Sequence, residues 1–195
     1  MAKKKKGDTT DSKEQKIILR TRKFYKIPVK EIMDEKVWDL PLINKNDVAL
    51  NVLAILSGRD HVWVVEDMES RELVGVITEH DILNLLTPAK KISFFGMHTK
   101  RSFHLELFEP TEHLMQDHPI HVKPSATVGD VLRKMTSHGC RRMAVVDPKT
   151  GSIVGEITLH QIIRKFYQGI RPLSHICADH IEEKTKGKSG KSKKK

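Results

Sequence analysis

Residues 75–81 read GVITEHD, and residues 155–161 read GEITLHQ. The same pattern, glycine, any residue, isoleucine, threonine, any residue, histidine, polar, is written twice, ending once on Asp81 and once on Gln161. Laying Gly75 on Gly155 brings Val65 onto Val145, Asp67 onto Asp147, Thr78 onto Thr158 and His80 onto His160. Upstream, after a two-residue slip, VKEIMDE at 29–35 matches TEHLMQD at 111–117. An internal repeat of this length governs how every local feature is read.

Each copy opens with a short helical piece holding Ile32-Met33 or Leu114-Met115, followed by an extended piece, WDLPLI (38–43) or PIHVKP (119–124). An amphipathic helix comes next, over 47–58 or 127–139, with a glycine to close it. Two Val-rich strands follow. VWVVED (62–67) and RMAVVD (142–147) each lead through a short polar turn into LVGVIT or IVGEIT. Turns this short predict antiparallel hairpins. A last helix begins at 79 or 159. The expected order is helix–β–α–β–β–α, twice. A unit of some fifty residues cannot bury both faces of its sheet, so the copies are expected to pack on each other as a pseudo-twofold α/β (α+β) pair.

The net charge of +10 divides unevenly. Residues 1–30 carry +8 and residues 184–195 carry seven lysines with no acid, which leaves 31–183 at −5. Basicity therefore belongs to the ends. Loose lysine tails give a sequence-blind, salt-sensitive attraction to polyanions, or only solubility. The expected organisation is a basic flexible tail over 1–26, a first domain over 27–87, a linker or insertion over 88–109, a second domain over 110–168, a closing helix over 169–183 and a lysine-rich tail over 184–195. No apolar run is long enough to span a bilayer and the start MAKKKKGD has no apolar stretch behind it, so a cytoplasmic protein is expected. Cys140 and Cys177 form no disulfide framework and no ligand spacing.

The order of elements, the strand ending in VV-x-D or VVD, the short turn and LVGVITEHDIL at the hinge into the last helix resemble the cystathionine-β-synthase (CBS) domain. Two in tandem resemble a Bateman module, over roughly 29–87 and 110–168. The resemblance implies binding of AMP, ADP, ATP or S-adenosylmethionine-type compounds in a cleft between copies, with magnesium if the ligand is ATP. It implies that Asp81 takes the ribose hydroxyls and that Thr78 and His80 lie toward phosphate. Basic residues opening the second strand, here His61, Arg141 and Arg142, would contact phosphate, and Leu40, Pro41 and Leu42 would flank the adenine. A second cleft would be built from Thr158, His160, Gln161, Ile120, His121 and Val122. A homodimer that signals nucleotide or metabolite state to a partner protein is also implied.

Residue chemistry agrees. A carboxylate at a helix start is favoured by free N–H groups there and can accept both hydroxyls of a cis-diol, while arginine offers a forked donor to phosphate. T-x-x-D is also an ordinary helix start, with threonine at the cap and aspartate in the first turn. Its place in the duplicated hinge favours the ligand reading. Gln161 is longer, uncharged and splits donor from acceptor, so the cleft around it is expected to be weaker, empty or differently selective.

The histidines form no set at metal-ligand spacing, and no metal site is expected. There is no nucleophile elbow, no phosphate-cradling GxxxxGK[ST] and no plausible carboxylate pair, so an enzyme is not expected. Trp38 and Trp63 read as core or cleft-wall residues, and Met33, Met115, Met135 and Met143 as packing residues. The insertion's FHLELF (103–108) has strand alternation and could add an edge strand, cover a cleft or make a dimer contact; core-covering is the expected role, with Lys100 and Arg101 as candidates to reach a phosphate. The alternative function is a nucleic-acid- or ribosome-associated accessory protein acting through its lysine tails.

Overall fold

The computed structural model describes residues 8–87 and 107–171. In chain order the first elements are α1 (Asp8–Tyr25), β1 (Leu42–Asn44), α2 (Ala49–Leu56), β2 (His61–Val65), β3 (Leu73–Thr78) and α3 (Glu79–Leu86). Then come β4 (Gln116–Asp117), β5 (His121–Val122), α4 (Val128–His138), β6 (Arg142–Val146), β7 (Ile153–Thr158) and α5 (Leu159–Ile170). The chain divides into two compact units, one drawn from Met33–Pro124 and Cys140–Ile157, the other from Met1–Ile32, Ser125–Gly139 and Thr158–Lys195.

The first unit holds both sheets, ordered β1-β2-β3-β4 and β5-β6-β7. As the short turn requires, β2 and β3 are antiparallel, with His61 opposite Thr78 and Trp63 opposite Val76. β1 runs parallel to β2, and β5 parallel to β6. Side chains alternate across a strand, and both faces of β2 are buried. One face carries Val62 and Val64, which pack with Ile77, with Val52 of α2 and with Ile82 of α3. The other carries Trp63 and Val65, which pack against Ala144, Val146 and Ile153 of the second copy's strands. Burying each such side chain contributes about 1.5–3 kcal/mol, so the two copies share a core that neither completes alone.

The hairpin tips meet about the same pseudo-twofold relation. Leu73 N donates to Gly151 O at 3.1 Å and Ile153 N to Arg71 O at 2.9 Å. Gly151 and Arg71 hold equivalent places, both in left-handed backbone, at φ 72° and 53°.

The leading pieces depart from the expected order. Each is a single 3-10 turn, Val29–Glu31 or Thr111–His113, and the chain after it pairs with the other copy's sheet. Asp34 N donates to Glu156 O at 2.9 Å and Glu156 N returns to Asp34 O at 3.1 Å. β4, which precedes the second copy, adds to β3 of the first, Gln116 opposite Val76. The repeated glycines make room for these crossings. A Cβ on Gly75 would lie 2.7 Å from Met115 Cγ, and one on Gly155 would lie 2.5 Å from the Asp34 carbonyl oxygen and 3.3 Å from Met33 Sδ. Spacing alone assigned each piece to the copy it precedes; the sheets assign it to the other.

The second unit is helical. The flexible tail expected over 1–26 is, from Asp8, the 18-residue helix α1. Charged residues conceal a stripe of Ile17, Thr21 and Phe24 at helical spacing, and these are the less exposed positions among the described side chains of 15–25. Phe24 meets Phe166 of α5 edge-on at 4.9 Å, and Arg20 Nη1 donates to Gly169 O at 2.7 Å. α4 starts on Thr127, with Asp130 returning its carboxylate to the Thr127 N–H at 2.9 Å, and ends on left-handed Gly139. Gly58 does not play that part for α2, whose cap is Ser57.

Trp38, expected in the core or a cleft wall, is 83% exposed. It sits in the 3-10 turn Val37–Asp39, where strand alternation does not apply. Trp63 and Met143 are core residues as expected. Most of the 88–109 insertion, with Lys100, Arg101 and the greater part of FHLELF, lies outside the described residues. So do the expected closing helix beyond Arg171, Cys177 and the tail over 184–195. No described helix is long and apolar enough to cross a membrane.

Candidate functional site

The start of β2 and the end of β3 lie side by side in the sheet-bearing unit, His61 opposite Thr78, and α3 departs from Thr78. Asp81 falls in the first turn of that helix. Its Oδ2 accepts from the Thr78 N–H and from Thr78 Oγ1, both at 2.8 Å, and its Oδ1 accepts from Gln116 Nε2 at 2.7 Å. Asp81 therefore serves the helix start. A carboxylate has about four acceptor places. Oδ2 is filled, while Oδ1 has one left beside the half-buried Thr78.

Gln161 meets the same local demand. Its Oε1 accepts from Thr158 N at 2.7 Å and its own N–H donates to Thr158 Oγ1 at 3.2 Å. Aspartate and glutamine both complete the reciprocal cap that T-x-x-[DEQ] sequences make. The difference between the copies is thus a difference in what remains after capping: a charged oxygen with acceptor capacity at Asp81, and an amide at Gln161.

Across the β2–β3 end lies a buried charge cluster that composition did not announce. His61 is 3% exposed and Glu156, on β7, is 8% exposed. His61 Nε2 lies 2.7 Å from Glu156 Oε2, and His61 Nδ1 lies 3.0 Å from Asp60 Oδ1. Carboxylates only accept, so the ring serves both when both nitrogens carry protons. Trp63 Nε1 donates to Glu156 Oε2 at 2.8 Å, and the indole packs edge-on to the imidazole at 5.1 Å. Arg142 spans both acids, donating from Nη1 to Glu156 Oε1 at 3.3 Å and from Nη2 to Asp60 Oδ2. Burial pushes the Glu156 carboxyl up, and the bonds from His61 and Trp63 with the Arg142 charge more than offset it, leaving it below its ordinary value. Asp60 is likewise lowered: its partial burial acts upward and is outweighed by His61 and Arg142. No buried side-chain polar atom among the described residues lacks a partner.

Of the first set of expected residues, the structure brings together Thr78, Asp81, His61 and Arg142. Leu40 and Leu42 pack against the buried cluster that holds Trp63, and the buried Pro41 offers its carbonyl to Trp63 N at 2.8 Å. His80 and Arg141 are exposed. The second set is divided between the units. Ile120, His121 and Val122 belong to the sheet-bearing one, where Val122 is core opposite Val145 and His121 Nδ1 is 3.0 Å from Pro119 O. Thr158, His160 and Gln161 belong to the helical one, and His160 is exposed. Among the described residues no group of histidine, cysteine, aspartate and glutamate could hold a metal ion.

Asp60 and Glu156 were missed. Glu156 had a readable signal: it interrupts an apolar strand, IVGEIT, at the place where the first copy has Val76. A lone carboxylate in a strand buried on both faces requires donors, and His61, Trp63 and Arg142 supply them.

The sequence profile of the CBS domain matches residues 29–88 and 112–168. Among solved structures, CBSX2 in complex with AMP is 22% identical, at TM-score 0.57 over 72% of this chain and 96% of that one. The CBS domain of the bacterial CNNM/CorC family Mg2+ transporter in complex with ATP is 19% identical, at TM-score 0.58 over 78% and 96%. The CBS domain pair of protein MJ0100 with 5-methylthioadenosine and S-adenosyl-L-methionine is 23% identical, at TM-score 0.53 over 72% and 95%. No curated protein sequence matches the chain.

Proposed function

The chain belongs to the CBS-domain family, and from that premise we propose that it is a regulatory module binding an adenosine compound of the AMP, ATP or S-adenosylmethionine kind. The observation that carries this reading is the Asp81 carboxylate, fixed at the start of α3 with acceptor capacity left on Oδ1 and set next to the His61–Arg142 cluster by the His61–Thr78 register. An acceptor of that kind suits a ribose hydroxyl, Thr78 and His80 lie toward the phosphate side, and Leu40, Pro41 and Leu42 offer an apolar wall to the base. Solved structures of the same fold whose ligands are AMP, ATP, 5-methylthioadenosine and S-adenosyl-L-methionine support the class of ligand. The protein acts as a cytoplasmic homodimer, and a partner reads the ligand-dependent shift in conformation. Magnesium accompanies the ligand where it is ATP.

Copy two supplies the test. Glutamine at 161 completes the same cap, so Asp81→Gln removes the carboxylate while keeping the helix start. Calorimetric titration with AMP, ATP and S-adenosylmethionine is expected to show binding by the wild type and at least roughly tenfold weaker binding by the variant, the loss of a charge-assisted hydrogen bond. Equal binding by both proteins, or none by either, would remove the reading.

A further inference from the structure

We infer that Asp60 is a built-in competitor for the anionic part of the ligand, so that the site admits uncharged or cationic adenosine compounds freely and phosphorylated ones only by displacing it. The inference rests on the adenosyl-site reading above and adds the ligand class that the site prefers.

A phosphate at this site would be held by His61 and Arg142. Both already have anionic partners, and the two partners differ in kind. Glu156 is a fixture: it is buried and accepts from His61, Trp63 and Arg142 together, so moving it would strand three donors. Asp60 has a side chain 56% exposed and follows the loop out of α2. Its two oxygens straddle the two basic side chains, Oδ1 against His61 Nδ1 at 3.0 Å and Oδ2 against Arg142 Nη2. That is the placement two phosphate oxygens would take between the imidazole and the guanidinium. Two carboxylates facing one imidazole and one guanidinium leave no net positive charge for an incoming anion. A phosphorylated ligand meets a like charge at Asp60, which costs affinity until that carboxylate turns out to water. An uncharged substituent meets no such opposition. The first copy thus carries its own counter-ion one residue before the basic position.

The experiment is calorimetric titration of adenosine and of AMP into wild type, Asp60→Asn and the double variant D60N/R142Q. Asp60→Asn is expected to raise AMP affinity about tenfold and to leave adenosine within about twofold, and the double variant is expected to lose the gain. AMP affinity unchanged in Asp60→Asn, with adenosine bound measurably, would overturn the inference and leave the adenosyl-site reading standing. A gain of the same size for both ligands would mark general loosening and overturn it too. Absence of binding of either ligand to any of the proteins would overturn both. A thermal melt of each variant accompanies the titration, and Asn keeps a carbonyl acceptor and the shape of the residue it replaces.

Discussion

Replacing Glu156 with valine, which the first copy carries at Val76, tests whether the buried cluster holds the two copies' strands together. Glu156 is buried and receives hydrogen bonds from His61 at 2.7 Å, Trp63 at 2.8 Å and Arg142 at 3.3 Å. Valine leaves the His61 ring, the indole N–H and one arm of the guanidinium facing an apolar side chain. Removing one partner of a buried pair costs about 3–5 kcal/mol. For a chain of this length each kcal/mol shifts the melting temperature by about 2–4 °C, so a fall of roughly 6–20 °C is expected. Glutamine at 156 keeps one carbonyl acceptor and is expected to cost about 1–3 kcal/mol, the range for leaving part of a buried network unsatisfied. Circular dichroism melts at neutral pH read both. The pH dependence adds a sign. The Glu156 carboxyl titrates below its ordinary value. Its contribution is therefore complete above the ordinary carboxylate range and lost as pH falls through the lowered value, so the gap between wild type and Glu156→Gln narrows toward acid. A Glu156→Val protein melting within about 2 °C of wild type would refute the reasoning.

Two backbone predictions follow from the repeat. Gly155→Ala drives a Cβ onto the Asp34 carbonyl, whereas Gly75→Ala meets the Met115 side chain, whose Sδ and Cγ can turn away while its Cβ, at 2.9 Å, must give by a small shift. Alanine at 155 is expected to cost about 2–3 kcal/mol and alanine at 75 less, and melts showing the reverse order would contradict the crossing geometry. Arg71 holds a left-handed conformation that its counterpart Gly151 adopts without strain. Arg71→Gly is expected to stabilise by about 0.5–1 kcal/mol, read as a rise in denaturant midpoint at unchanged slope.

Much of this fold was legible because its elements repeat and because β2 and β3 are short Val-rich runs joined by a polar turn. The eighty-residue offset placed both hairpins and both hinge helices, and Glu79–Leu86 begins and ends where EHDILNLL does. What spacing could not reveal was partnership. The Met33 and Met115 segments read as the opening of their own copies, since nothing local distinguishes pairing with a neighbour's sheet from pairing with one's own. At the candidate site, Thr78 with Asp81 and His61 with Arg142 were picked out as candidates by motif and strand position. Of their immediate partners, Gln116 and Glu156 come from strands far along the chain, and only folding brings them close; Asp60 precedes His61 directly, but only folding sets it against Arg142. The helix α1 stayed hidden because its apolar stripe is thin and eight of its eighteen residues are charged.

The crossed leading segments bear on how such a protein came to exist. A polypeptide carrying one copy alone would present a sheet edge beside its glycine and an arm that fits that edge only on a second molecule. Two identical short chains could satisfy one another completely by trading arms, and joining them end to end would preserve the trade while fixing its stoichiometry. Severing the chain in the 88–109 stretch should then leave halves that recombine when mixed, each returning to the other the edge it borrowed.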